Sequence, residues 1–87
     1  MSFTDKVIVV TGASAGIGKS TALHFGRLSA KVVVVNNSHV QAGKDVVREI
    51  KELGGEALYI QADVTNKEDV EGLVEQTVKT YGTLDFA

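Results

Sequence analysis

An α/β fold built on a parallel sheet is predicted by three features of the 87-residue chain. Short apolar runs rich in β-branched residues recur at a fixed interval: VIVV at 7–10, VVVV at 32–35 and ALYI at 57–60, each beginning 25 residues after the last. The runs are continuously apolar rather than alternating, the pattern of strands buried on both faces of a parallel sheet. The segments between them have helical period and carry helix start and stop residues. The order is therefore β-α-β-α-β-α, with right-handed crossovers, and LDFA at 84–87 reads as the start of a fourth strand.

The elements follow in order. The first strand runs into the glycine-rich TGASAGIG at 11–18. A first helix is predicted from about Gly16 to Leu28, with Ile17, Thr21, Phe25 and Leu28 turned inward. The second strand leads to a helix with Val40, Gly43, Val46, Val47, Ile50 and Leu53 on one face and Lys44, Asp45, Arg48, Glu49 and Lys51 largely on the other. The third strand leads to a helix with Val70, Leu73, Val74, Thr77, Val78 and Tyr81 aligned. Ser38 with Gln41, and Thr65 with Glu68, match the capping box that satisfies orphan backbone donors at a helix start. Gly54-Gly55 and Gly82 supply the left-handed conformation a helix end favours.

Composition bounds the possibilities. One small domain is the most that this length allows, and it buries roughly 60–65% of the surface its unfolded form exposes. The net charge of −2, with both signs interspersed, argues against a binder of nucleic-acid backbone. With no cysteine, there is no disulfide framework, thiol nucleophile or cysteine metal site. His24 and His39 lack a second ligand at metal spacing, so no metal site is predicted. MSFTDK has neither the apolar core nor the basic flank of a signal peptide, and no apolar run approaches the ~20 residues of a membrane helix. A reducing cytoplasmic location is the default expectation.

The stretch TGASAGIGKST at 11–21 mixes the features of two phosphate loops. A mononucleotide P-loop, G-x-x-x-x-G-K-[ST], needs glycine at 13 if Gly18 is its second glycine; the residue is Ala13. Lys19 and Ser20 then read as first-turn helix residues, Lys19 a solvated surface lysine. The G-x-G-x-x-G spacing also fails, because Ser14 and Ile17 occupy the second and third glycine positions. What remains, T-G-x-x-x-G-x-G between a strand and a helix, still has the physics of a pyrophosphate cradle. Gly12 permits a tight turn, Gly16 and Gly18 permit close backbone approach, and Ser14 adds a hydroxyl. The helix N-terminus offers free N–H groups and partial positive charge. A purely connecting turn would need one glycine, not three. Asp63 follows the third strand at its carboxyl end, where open α/β sheets bind ligands; its plainer reading is a loop aspartate near the next helix start.

TGASAGIG, with ADV at 62–64 and YGTLD at 81–85, resembles the short-chain dehydrogenase/reductase family over the whole chain. The resemblance implies a Rossmann-like three-layer α/β sandwich with a parallel sheet that binds a nicotinamide dinucleotide. It places Gly12, Gly16, Ile17 and Gly18 along the diphosphate and nicotinamide ribose, and Ser14 and Ala15 of the same loop are read as cofactor-binding with them. It places Asp63 against the adenine amino group and Val64 beside the ring. The residue ending the second strand governs cofactor choice. Here it is Asn36, followed by Asn37 and Ser38, which carry no charge to repel a 2′-phosphate and offer donors to it. Ala15 stands where NADP-preferring relatives often have a basic residue. The expectation is tolerance of both cofactors with a modest lean to NADP over NAD.

The family's catalytic serine and Tyr-x-x-x-Lys pair have no counterpart here: four residues after Tyr59 and Tyr81 stand Asp63 and Asp85. Both tyrosines read as core, and no catalytic residue is assigned. Residues 1–87 are read as the cofactor-binding half of an NAD(P)-dependent oxidoreductase acting on a small alcohol or carbonyl, from a truncated, excised or partly ordered longer chain. The alternative is a nucleotide-binding module without a catalytic half. In a 3-2-1-4 strand order VIVV would be central, yet only LDFA is available beside it, so homo-oligomerisation through this strand is expected. Ser29 departs from the family's usual glycine at the end of the first helix, which calls for left-handed strain or another cap.

Overall fold

The computed structural model describes residues 4–12 and 16–85. Its elements are β1 (Val7–Thr11), α1 (Gly16–Arg27), β2 (Lys31–Asn36), α2 (Val40–Glu52), β3 (Glu56–Gln61) and α3 (Lys67–Tyr81). The predicted alternation and all three strands are present, each strand a residue or two longer than its apolar run. The strands are parallel in the order β1-β2-β3, with Val7 beside Lys31 and Lys31 beside Glu56 at their amino ends.

Strand alternation sends side chains to two different cores. Ile8, Val10, Val32, Val34 and Ala57 pack with Ala22, Val46 and Ile50 of α1 and α2. Val7, Val9, Val33, Val35 and Ile60 pack with Leu73 of α3. The result is three layers: two helices, the sheet, one helix. β2 is the central strand, and Val32 to Val35 are wholly inaccessible, which is why its run shows no polar alternation.

The inward face of α1 differs from the predicted one. Ile17 is 87% exposed, Thr21, Phe25 and Leu28 are half-buried, and the buried positions are Ala22 and Gly26. The physical reason is close helix approach: a Cβ at position 26 would lie 2.9 Å from Ile50 Cγ2, so the α1–α2 line of contact takes small residues. Ile17, Thr21 and Phe25 instead line a groove with Ile8 and Val10, where α1 overhangs β1. Leu53, Val74 and Val78 are also exposed; Leu53 is the C-cap residue just past the end of α2, and α3 turns Leu73 and Thr77, with half-buried Tyr81, toward the sheet.

Both helix starts lie one residue later than the predicted capping boxes place them. α2 starts at His39, which makes no side-chain cap bond, while Ser38 Oγ pairs with His39 Nδ1 at 3.1 Å. α3 starts at Asn66, whose Oδ1 accepts the Asp69 N–H at 3.1 Å. Thr65 cannot cap, because its hydroxyl is spent on Asp63. The stop signals hold: Gly54 and Gly82 take φ of 86° and 82°. Ser29 takes φ 68°, and Ala30 N–H donates to Phe25 O, and Ser29 N–H to Gly26 O, each at 3.1 Å. A left-handed Schellman end is thus built on a serine, at the cost of Cβ strain.

β1 keeps one open side. Past α3 the chain returns to its amino end, where Asp85 N–H donates to Val7 O at 3.1 Å and Asp85 Oδ2 accepts Val7 N–H at 2.8 Å. Phe86 and Ala87 of the predicted fourth strand lie outside the described residues.

Candidate functional site

The carboxyl ends of the three strands line up on one edge. Thr11 pairs with Val35 and Asn36 with Gln61. The line continues beyond the strands, since Gly12 N–H donates to Val35 O at 2.9 Å and Ala62 N–H to Asn36 O at 3.0 Å. Gly12, Asn36 and Asp63 therefore follow one another across adjacent strand ends. At the ordinary strand spacing of about 4.8 Å, the first and last stand roughly 10 Å apart.

At one end of this line, Gly12 and Gly16 have φ of 64° and 58°, the left-handed region where a side chain is strained. A Cβ at either would meet nothing within 4 Å, so it is the backbone turn rather than crowding that calls for glycine. Gly18 is half-buried beneath exposed Ile17. Ser14 and Ala15 lie outside the described residues. The first turn of α1 contains no acidic residue. The partial positive charge of a helix start thus faces no competing carboxylate of that turn, as an anion site requires. Lys19, expected to be solvated, is partly exposed and stands 3.3 Å from Glu49 Oε2 in an ion contact that ties α1 to α2. That oxygen takes no hydrogen bond.

In the middle, Asn36 is half-buried while Asn37 and Ser38 are exposed. Asn36 Nδ2 donates to His39 O at 2.7 Å, and Asn36 Oδ1 accepts the Tyr59 hydroxyl at 2.5 Å. Tyr59, expected in the core, is half-buried, with desolvation raising its pKa above the usual phenol value. Asn37 O accepts Gln61 Nε2–H at 2.9 Å.

At the far end, Asp63 Oδ1 accepts both the Thr65 hydroxyl at 2.6 Å and the Thr65 N–H at 2.9 Å. These bonds, the hydroxyl first, hold the Asp63 carboxyl below the usual carboxylate range. The Asp63 N–H donates to Asp69 Oδ2 at 2.9 Å. The aspartate is fixed from both sides, ionised, with Oδ2 left to accept from an amino group. Val64 beside it is 49% exposed, an apolar surface suited to the flat face of a base.

These residues present an anion cradle, a polar middle and an acceptor with an apolar neighbour, in that order. That sequence of chemistries fits a dinucleotide's diphosphate, ribose and adenine. Sequence reasoning missed the supporting groups. Thr65, Asn66 and Asp69 were legible in outline, since D-x-T is a side-chain turn signature. The link from Tyr59 to Asn36 crosses from β3 to β2 and has no local signal.

The parallel sheet with helices on both faces is a Rossmann-like fold. The profile of the short chain dehydrogenase family matches residues 6–86, and the chain belongs to that family. It is 45% identical over 86 residues to an uncharacterized oxidoreductase of Thermotoga maritima, covering 99% of this chain and 33% of that protein. A hydroxysteroid dehydrogenase from Escherichia coli superposes with a TM-score of 0.91 at 34% identity, over 98% of this chain and 36% of that one. A 7α-hydroxysteroid dehydrogenase complexed with NADH and 7-oxo glycochenodeoxycholic acid gives 0.90 at 34% identity, over 97% and 32%. The chain thus spans about a third of the length of the proteins it matches.

Proposed function

We propose that residues 1–87 are the cofactor-binding portion of an NAD(P)-dependent oxidoreductase that acts on a small alcohol or carbonyl substrate. The observation that carries this reading is the alignment of Gly12, Asn36 and Asp63 across one sheet edge by backbone bonds. The bound nicotinamide would supply the hydride chemistry. The chain's own residues bind and orient: the turn at Gly12–Gly18 and the α1 N-terminus hold the diphosphate, with Ser14, Ala15 and Ile17 beside it. Asn36, Asn37 and Ser38 meet the adenosine ribose, and Asp63 and Val64 hold the adenine. The NADH complex of a structural relative supports a nicotinamide cofactor.

No proton-transfer residue is assigned within these residues, so the proposal is binding without turnover. The absence of a carboxylate at position 36 supports tolerance of a 2′-phosphate and a modest preference for NADP. Titration calorimetry of the purified chain with NADP and NAD, beside a dehydrogenase assay, tests both parts. Binding with no hydride transfer is expected. Hydride transfer above buffer by the pure chain, or no binding of either nucleotide, contradicts the proposal.

A further inference from the structure

Tyr59 stands opposite Val34 in the β2–β3 register, and Asn36 lies two residues further along the same face of β2. The phenol reaches diagonally along that face to Asn36 Oδ1. Room for it comes from α2: a Cβ on Gly43 would collide with the Tyr59 ring and lie 2.9 Å from Asn36 Nδ2. Ring, amide and glycine form one packed unit beneath the turn at 36–39.

The bonds in this unit fix which way the amide points. The carbonyl of His39 can only accept, so the group facing it at 2.7 Å is the Nδ2 donor. The opposite flip would set two acceptors against each other. Oδ1 is thereby turned to Tyr59, whose hydroxyl occupies it as donor. Asn36 has one acceptor lone pair engaged by the protein and one Nδ2 hydrogen left to give. Nearby, the first turn of α2 has no acidic residue, and His39 makes no side-chain cap bond. With one Oδ1 lone pair taken and one Nδ2 hydrogen free, the balance of the turn shifts toward an acceptor-rich, negatively charged partner and away from a hydroxyl that needs somewhere to donate.

We infer that Tyr59 is a positioning residue for cofactor discrimination: by holding Asn36 Oδ1, it presents Asn36 as a donor and tilts the turn toward a 2′-phosphate on the adenosine ribose. The inference rests on the proposed dinucleotide site and deepens it. Tyr59 touches no ligand; it acts through Asn36. Without the phenol, the amide is no longer held with Nδ2 outward and both Oδ1 lone pairs are free to accept from a ribose hydroxyl, so the discrimination narrows.

The test uses this chain and two small probes, 2′,5′-ADP and 5′-ADP, titrated by calorimetry at fixed salt. The wild type is expected to favour 2′,5′-ADP. Tyr59→Phe is expected to lower that affinity ratio roughly three- to tenfold, the scale of one lost hydrogen bond, mainly by weakening the phosphorylated probe. A loss of order at the Asn36 side-chain amide, read by nitrogen-15 relaxation, should accompany it. Asn36→Ala supplies the second variant: it removes the amide through which the phenol acts, so adding Tyr59→Phe to it should leave the ratio unchanged. An unaltered ratio in Tyr59→Phe, or an equal loss for both probes, overturns the inference while the nucleotide site stands. Failure of both probes to bind the wild type overturns the proposed site and this inference with it.

Discussion

α2 and α3 both begin at the carboxyl edge of the sheet, and they begin in opposite ways. α3 is closed: Asn66 caps it through Asp69 N–H, and Glu68 and Asp69 place negative charge in its first turn. α2 is open: His39 provides no side-chain cap bond and the first turn has no acid. α1 resembles α2 in lacking a first-turn acid. A helix start leaves orphan N–H groups and a partial positive charge that something must answer. At α3 the chain answers with its own residues and uses the same network to fix Asp63. At α2 neither a side-chain cap bond nor a first-turn acid answers it, and the first turn of α1 also lacks an acid. The proposed nucleotide site would use these two starts, so the difference would separate a structural helix start from a binding one.

The most damaging change to the open side is Gly16→Val. A β-branched residue at φ 58° is strained by about 1–3 kcal/mol, and relief of that strain would move the cradle. Dinucleotide affinity should fall by roughly ten- to a hundredfold or more on that scale, while circular dichroism still reports the α/β fold. The closed side responds in the other currency. Asn66→Ala should cost about 0.5–2 kcal/mol of stability in urea, with the 2′,5′-ADP to 5′-ADP ratio unmoved.

A third change compares helix ends. Gly54 and Gly82 take left-handed φ without strain, whereas Ser29 does so at 68°. Ser29→Gly should raise stability by about 1 kcal/mol in the same denaturation, with no effect on nucleotide. A smaller and sharper test adds an acid to the open start of α1. Ile17→Asp should stabilise the helix by about 0.3–1 kcal/mol and weaken nucleotide binding by repulsion; the opposite signs are the point of the experiment. The mildest effect is on acid titration. Because the Thr65 bonds lower the pKa of Asp63, its stabilising contribution is present above the ordinary carboxylate value. It is lost only as pH falls through the lowered one. Thr65→Val should return the Asp63 carbon-13 titration toward the ordinary value.

The strand runs, the inward face of α2 as far as Ile50 and the need for glycine at 12 and 16 were legible in sequence, because each is a local pattern with a fixed period or spacing. The inward face of α1 was not. The apolar stripe Ile17-Thr21-Phe25-Leu28 suggested one face, but Gly26 against Ile50 sets the contact, and close approach is a property of two helices together. The caps at Ser38 and Thr65 were each placed one residue early. Several polar residues in a row can all cap, and the choice depended on Thr65 bonding Asp63, which only the folded turn reveals. Asn36 was legible as the residue that ends β2, yet its orientation depends on Tyr59, 23 residues away.

The central claim is that the carboxyl edge of the sheet binds a dinucleotide in the order Gly12, Asn36, Asp63. The most direct measurement is a nitrogen-15 correlation spectrum of the chain titrated with NADP. The account predicts saturable shifts concentrated at residues 12–18, 36–38 and 63–65, with the amino-end turns at Asp5, Ser29 and Gly54 unmoved. Shifts centred on those amino-end turns, or no saturable shift at millimolar NADP in a folded chain, would contradict it.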